Sequence, residues 1–182
     1  MKKIIYILSI LFITTSHAYT VEDLEFYTIA CERNDYVSCS HLAIIYEEDI
    51  LVKQDMKKAF NLYSKACGGD YAFACHNVAV TYSKSDNKAL KNIALKFYEK
   101  ACAGGYTDSC MYLGRTHRDS KTLHRDYKKA KEYFEKACDG NNRLGCKEVR
   151  ILEGLGYYIF LVSLLANKES TCHTERYNCR VK

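Results

Sequence analysis

Four pairs of cysteines recur along the chain, and the two members of each pair are eight residues apart. The first member of each pair follows an alanine, and successive first members are separated by 35 or 36 residues. An aromatic residue precedes each of them by four positions: Tyr27, Tyr63, Tyr98 and Phe134. A period of this length is typical of helical repeat proteins, so the spacing predicts four copies of one structural unit.

Each period reads as two helices. In the second copy, Ala59, Tyr63 and Cys67 recur at the helical spacing, and Gly68-Gly69 is expected to end that helix. A second helix is expected from Ala72 to Tyr82. The chain contains no proline, the strongest helix breaker. The sequence therefore predicts an all-α repeat domain over residues 19–153, with units at about 20–54, 55–88, 89–125 and 126–153.

The cysteine spacing also predicts the disulfides. In every unit one cysteine lies at the end of the first helix, and its partner lies one turn into the second. A tight turn between antiparallel helices brings the two Cα atoms to the separation of about 5.5–6 Å that a disulfide needs. We therefore expect one bridge inside each unit: Cys31–Cys39, Cys67–Cys75, Cys102–Cys110 and Cys138–Cys146.

The N-terminus has the features of a secretory signal peptide over residues 1–18. Lys2 and Lys3 precede an apolar run from Ile4 to Ile13, and the small-residue triplet Ser16-His17-Ala18 ends the segment. Cleavage after Ala18 would leave Tyr19 as the first mature residue. Export agrees with the ten cysteines, which form disulfides outside the cytosol. The predicted location is the periplasm or the medium.

The tail over residues 154–182 fits no repeat. Gly154-Leu155-Gly156 suggests a helix break, and Tyr157–Ala166 is an apolar segment with helical character. The simplest interpretation is a cap over the open end of the fourth unit. The alternative is a segment that binds a partner or a membrane surface, although it is too short to span a bilayer. Cys172 and Cys179 are expected to form a fifth disulfide.

Composition argues against several functions. Removal of Lys2 and Lys3 lowers the formal charge from +5 to +3, and the remaining charges are interleaved, so a nucleic-acid partner is not expected. The sequence holds no C-x-x-C, H-E-x-x-H or H-x-H motif, so we expect no metal and no cofactor. We further expect no integral membrane segment in the mature chain, and a monomer.

No catalytic residue can be identified. Ser85-Asp86-Asn87-Lys88 contains both S-x-x-K and S-D-N, but the two motifs share one serine, and both belong to a loop rich in turn residues. Lys121-Thr122 is followed by Leu123 rather than by glycine. The histidines His41, His76, His117 and His124 belong to different parts of the repeat, and His117 is expected to pack in the slot held elsewhere by tyrosine.

The repeat resembles a known family. The pattern A-x-x-x-Y-x-K-A-C, followed by a second cysteine eight residues later, is similar to Sel1-like repeats over Ala59–Ala79 and Ala94–Gly114. The cysteine separation narrows the resemblance to cysteine-rich Sel1-like proteins, the Hcp family. This resemblance implies a right-handed, TPR-like α-solenoid with one disulfide per repeat, export, and an association with β-lactams. The terminal copies depart from the pattern, with Asp23 and Arg33 in the first and Arg150 and Glu153 in the fourth.

Two functional hypotheses follow. The first is a binding module, because stacked helix pairs create an extended concave surface for a peptide, a protein, a peptidoglycan fragment or a β-lactam. The predicted binding residues lie on the first helices of the units: Asn61, Lys65, Lys96, Lys100, Tyr133 and Lys136. The second is a slow β-lactam hydrolase, which rests on the family resemblance alone.

Overall fold

A computed structural model describes residues 19–119 and 125–171. These residues form helices and no strand, in agreement with the predicted all-α class. The helices are α1 (Val21–Glu32), α2 (Tyr36–Glu47), α3 (Met56–Gly68), α4 (Ala72–Ser83), α5 (Lys88–Ala103), α6 (Thr107–Asp119), α7 (Tyr127–Asp139) and α8 (Arg143–Thr171). The predicted signal peptide, Lys121–Leu123, His124, Cys172 and Cys179 lie outside the described residues.

The helices fall into two compact units, with α1 to α3 in the first and α4 to α8 in the second, divided between Gly69 and Asp70. Three of the predicted disulfides are confirmed, with Cα–Cα distances of 4.6 Å for Cys31–Cys39, 4.8 Å for Cys102–Cys110 and 4.6 Å for Cys138–Cys146. Cys67 and Cys75 are also disulfide-bonded. The bridges stabilise the fold by about 2.5 kcal/mol each for a loop of this length.

Each tight turn between paired helices uses a left-handed residue three positions after the first cysteine. The residues at this position are Asn34, Asp70, Gly105 and Asn141, all with φ between 65° and 88°. Glycine and asparagine accept this conformation most readily, whereas aspartate is the one charged residue in the set. The turn therefore fixes the backbone at Asp70, the residue that carries this carboxylate.

Consecutive repeats pack through matching positions on neighbouring helices. Small residues of the first helices, such as Ala94 and Ala130, are fully buried and allow close approach of the helix backbones. Aromatic rings stack beside them, with Tyr82 on Phe97 at 5.8 Å and His117 on Tyr133 at 5.5 Å between ring centroids. His117 is thus a packed residue, as the sequence predicted.

The predicted break at Gly154-Leu155-Gly156 is wrong. The helix α8 runs without interruption from Arg143 to Thr171. Glycine in a helix interior costs roughly 1 kcal/mol relative to alanine but keeps its backbone N–H, so it weakens a helix without necessarily ending it. Within the described ranges, no helix combines the length and hydropathy needed to cross a bilayer. The capping role of the tail remains a prediction.

Candidate functional site

The start of each second helix is the feature that separates the central repeats from the outer ones. Four residues before the second cysteine, the outer repeats hold Asp35 and Asn142, whose side chains accept hydrogen bonds from first-turn amides of α2 and α8. The central repeats hold Tyr71 and Tyr106 at this position. Tyr71 makes no side-chain cap at α4. A missing cap costs about 1 kcal/mol, so the tyrosine is retained at the expense of local stability.

The two tyrosines line an open groove with a volume of about 480 Å³ in the second unit. Phe73 lies between them, with ring centroids 6.2 Å from Tyr71 and 5.8 Å from Tyr106. The plane of the Phe73 ring makes angles of 60° with that of Tyr71 and 68° with that of Tyr106, so the three rings are not stacked in parallel. The lining residues are Asp70, Tyr71, Ala72, Phe73, Gly104, Gly105 and Tyr106.

A small residue meets a glycine where Ala72 and Gly104 line the groove. A methyl group added to Gly104 would lie 2.8 Å from the Cβ of Ala72. In the following repeat the same relationship joins Gly140 to Thr107, whose side chain occupies the equivalent space. The residue that contacts this glycine is thus smaller at position 72 than at position 107, one repeat later.

His76 lies behind the aromatic wall. Its ring centroid is 4.6 Å from that of Tyr106, and its Nδ1 is 2.9 Å from the Oγ of Ser109. Burial lowers the pKa of His76, and the Asp108 carboxylate opposes that shift only in part. The imidazole is therefore neutral at neutral pH.

A serine hydrogen-bonded to a neutral histidine has the composition of a nucleophile and its base, but this pair cannot act as one in this conformation. Ser109 is completely buried, so its hydroxyl cannot reach the carbonyl carbon of a bound substrate. The histidine and the serine are better described as support for Tyr106. Among the described residues, no three His, Cys, Asp or Glu side chains are grouped as metal ligands.

Two carboxylates lie close to the groove. The Asp70 side chain is 84% exposed at its edge, and one of its oxygens is 2.8 Å from the Nζ of Lys100. Asp108 follows Tyr106 by two residues in the first turn of α6, and its charge contributes to the raised pKa of that tyrosine, behind the larger effect of burial. An ion pair as exposed as that of Asp70 and Lys100 adds little stability.

The predicted binding residues are distributed over three helices rather than gathered at one place. Asn61 and Lys65 lie on α3, Lys96 and Lys100 on α5, and Tyr133 and Lys136 on α7. All are exposed except Tyr133, which is half-buried against His117. Lys100 is the member of the set that contacts the groove, through Asp70.

Two further lysines of the predicted set, Lys65 and Lys136, also have contacts within the protein. The Nζ of Lys65 donates a hydrogen bond of 2.6 Å to the backbone carbonyl of Cys31, near the end of α1. A cation at a helix C-terminus satisfies a carbonyl that has no partner within the helix. The Nζ of Lys136 lies 5.5 Å from the ring centroid of Tyr133. Ligand binding by these lysines remains a prediction.

The loop motif Ser85–Lys88 serves local structure. The Asn87 side chain accepts a hydrogen bond of 2.8 Å from the amide of Ala89 and caps α5. The hydroxyl of Ser85 accepts one of 3.2 Å from the amide of Asn87. These contacts agree with the interpretation of this segment as a turn.

One feature of the sequence indicates the groove, although it is not a catalytic motif: the residue that precedes each second cysteine by four positions. Alignment of the four copies places Asp35, Tyr71, Tyr106 and Asn142 at one position, and two of the four cannot cap a helix. Tyr71 and Tyr106 are not among the periodic aromatic residues, which lie four positions before each first cysteine. Their position at the helix start distinguishes Tyr71 and Tyr106 from the buried Tyr63 and Tyr98.

The fold and its internal register define a disulfide-bonded helical repeat protein. Three consecutive segments, residues 37–71, 72–106 and 107–142, match the Sel1 repeat model. These segments cover more than half of the chain, which therefore belongs to the Sel1 repeat family. No curated protein is significantly similar to the chain in sequence.

Solved structures show the same fold. A Sel1 repeat protein from Oxalobacter formigenes gives a TM-score of 0.66 at 17% identity, over 74% of this chain and 56% of that one. A protective antigen present in uropathogenic Escherichia coli gives a TM-score of 0.58 at 19% identity, over 69% of this chain and 27% of that one. Helicobacter pylori cysteine-rich protein B gives a TM-score of 0.53 at 28% identity, over 69% of this chain and 91% of that one. The chain thus spans about half of the first of these proteins and a smaller share of the second.

Proposed function

We propose that this protein is an exported binding module that holds an extended peptide or protein segment in the aromatic groove. The observation that carries the proposal is the replacement of a helix cap by tyrosine in both repeats that form the groove. Residues that lower local stability are expected at functional positions. The angled rings offer apolar faces to a ligand, and the open α4 N-terminus offers amides without a side-chain cap.

Export is supported by the disulfides and by the contacts of the first residues after the proposed cleavage site. Disulfides persist in oxidising compartments. Tyr19 is the first residue after the proposed cleavage site, and its hydroxyl lies 3.1 Å from Nδ1 of His41. The next residue, Thr20, caps α1. Sequencing of the mature N-terminus from periplasm and medium tests this step, and a chain that retains residues 1–18 would contradict it.

The binding proposal is tested by selection of peptides from a random display library on the oxidised mature protein. Tyr71→Asn restores the type of cap found at Asn142, and Ala72→Thr introduces the side chain present at Thr107. We expect both variants to lose the selected peptides. Tyr71→Asn should also gain up to about 1 kcal/mol of stability, which separates loss of binding from unfolding.

Tyr158→Ser provides the matched control, because Tyr158 is an exposed aromatic residue on α8 outside the groove. It should retain the selected peptides. Equal retention by Tyr71→Asn, Ala72→Thr and the wild type would exclude the groove as the binding site. A library that yields no binder, alongside capture of muropeptides or a β-lactam by the same protein, would redirect the proposal to cell-wall ligands.

One variant distinguishes the binding module from the alternative function, a slow β-lactam hydrolase. Because Ser109 is buried, any turnover of a chromogenic β-lactam by the purified protein should survive Ser109→Ala. Loss of turnover in a variant that remains folded would show that the Ser109–His76 pair opens to substrate. That result would favour the hydrolase over the binding module.

A further inference from the structure

The four repeats provide an internal comparison for the charges around the groove. At the left-handed turn position, the second repeat holds Asp70, whereas the other three repeats hold Asn34, Gly105 and Asn141. Two residues before the second cysteine, the other repeats hold Val37, Phe73 and Leu144, whereas α6 holds Asp108. Both acids therefore stand where the repeat otherwise uses an uncharged residue, and both flank the tyrosines that replace helix caps.

We propose that the groove receives an arginine or lysine side chain of the bound peptide, between the aromatic walls and the two carboxylates. This inference rests on the proposed function and names the class of ligand. The ring faces of tyrosine and phenylalanine attract a cation through their quadrupole, and an adjacent carboxylate adds an ion pair.

The structure contains an internal example of this interaction. Lys100 already places its Nζ 2.8 Å from one oxygen of Asp70, although that carboxylate remains 84% exposed. Asp70 is therefore both accessible and positioned to bind a cation. A ligand cation would share or replace the contact with Lys100, which makes Lys100 a competitor rather than a ligand-binding residue.

The helix ends limit where the cation can lie. The N-terminus of α4 carries partial positive charge, so it repels a cation and favours the carbonyl oxygens of an extended backbone. Asp70 is the carboxylate that lines the groove, so the cation should lie towards Asp70, with the peptide backbone over the α4 amides. This arrangement assigns a polar partner to each part of the ligand.

The test is calorimetric titration of the oxidised mature protein with three capped octapeptides that differ at one central residue: arginine, its uncharged isostere citrulline, or glutamate. We expect the arginine peptide to bind about fivefold more tightly than the citrulline peptide, which corresponds to roughly 1 kcal/mol. The preference should decrease at high salt.

Two variants locate the preference. Asp70→Asn should abolish the difference between arginine and citrulline, and it preserves the turn because asparagine adopts the same positive φ at Asn34 and Asn141. Lys100→Met should strengthen binding of the arginine peptide, whereas a lysine that contributes to binding would weaken it on removal. Tyr158→Ser should leave all three affinities unchanged.

The outcomes distinguish this inference from the proposed function. Equal binding of the arginine and citrulline peptides, or tighter binding of the glutamate peptide, would overturn the cation preference and leave the groove as a peptide site. No binding of any octapeptide, despite groove-dependent clones from the display library, would also overturn it. Failure of the library itself would overturn the proposed function.

Discussion

The hydroxyl of Tyr63 donates a hydrogen bond of 2.8 Å to the carboxylate of Glu47, and thereby joins α3 to the end of α2. Glu47 lies eight residues after a second cysteine, and Tyr63 lies four before the next first cysteine. The same two positions pair again in the later repeats. Tyr98 lies 3.5 Å from the hydroxyl of Ser83, and the Phe134 ring lies 5.7 Å from the guanidinium of Arg118.

Loss of the Tyr63 hydroxyl should destabilise the fold. In Tyr63→Phe, the half-buried carboxylate of Glu47 loses its donor, and we expect the free energy of unfolding to fall by about 1–2 kcal/mol. Urea denaturation with the disulfides intact measures this change. The control is Tyr127→Phe, which removes an exposed hydroxyl and should have an effect within about 0.5 kcal/mol. Equal effects of both substitutions would contradict the structural role of the hydrogen bond.

Stability should decline in alkaline solution. Burial is the main cause of the raised pKa of Tyr63, Tyr98, Tyr106 and Tyr133. Because the folded state favours the neutral phenols, their contribution is fully present below the unfolded pKa of about 10 and is lost as the pH rises through the folded values.

Urea titrations between pH 8 and pH 12, together with phenolate absorbance, measure this dependence. Tyr63→Phe should make the decline less steep, because that side chain no longer titrates. A free energy of unfolding that rises above pH 10 would show that the buried tyrosines are not the groups responsible.

Two glycine substitutions should have opposite effects. A methyl group at Gly114 would lie 2.5 Å from the Phe134 ring, so Gly114→Ala should destabilise the protein by about 1–3 kcal/mol. A methyl group at Gly154 meets nothing within 4 Å, so Gly154→Ala should stabilise α8 by about 0.5–1 kcal/mol. Thermal unfolding of both variants tests the uninterrupted course of α8. Destabilisation by Gly154→Ala would argue for a break in that helix.

Removal of one bridge should weaken the fold without reorganising the others. The double variant Cys102→Ala/Cys110→Ala opens a short loop, and we expect a loss of about 2.5 kcal/mol. Non-reducing peptide mapping of this variant should still recover Cys31–Cys39 and Cys138–Cys146. Mapping of the wild type should also show whether Cys172 pairs with Cys179. Bridges between different repeats would contradict the intra-repeat geometry.

The sequence predicted the helices and bridges because both depend on local spacing. The periodic Ala59, Tyr63 and Cys67 place a buried face on α3, and the eight-residue separation of the cysteines suits two helices joined by a tight turn. The uninterrupted course of α8 was missed because Gly154 and Gly156 weaken a helix without removing any of its backbone N–H donors.

The groove could not be predicted from periodicity, because it depends on exceptions to the repeat. Tyr71 and Tyr106 occupy a capping position, and Ala72, which lines the groove with them, is smaller than its counterpart Thr107. Lys65 and Lys136 were predicted to bind a ligand from the helix face on which they lie. The face of a helix cannot distinguish a ligand-binding lysine from one that contacts the carbonyl of Cys31 or a neighbouring aromatic ring.

A bridge confined to one helix pair has a consequence for the history of such a chain. Duplication or deletion of a whole repeat adds or removes both cysteines together, so it leaves no unpaired thiol to form incorrect disulfides during oxidative folding. The length of the protein can therefore change by entire repeats while oxidative folding remains reliable. New grooves can then arise at single junctions, through substitutions as small as the one that distinguishes Ala72 from Thr107.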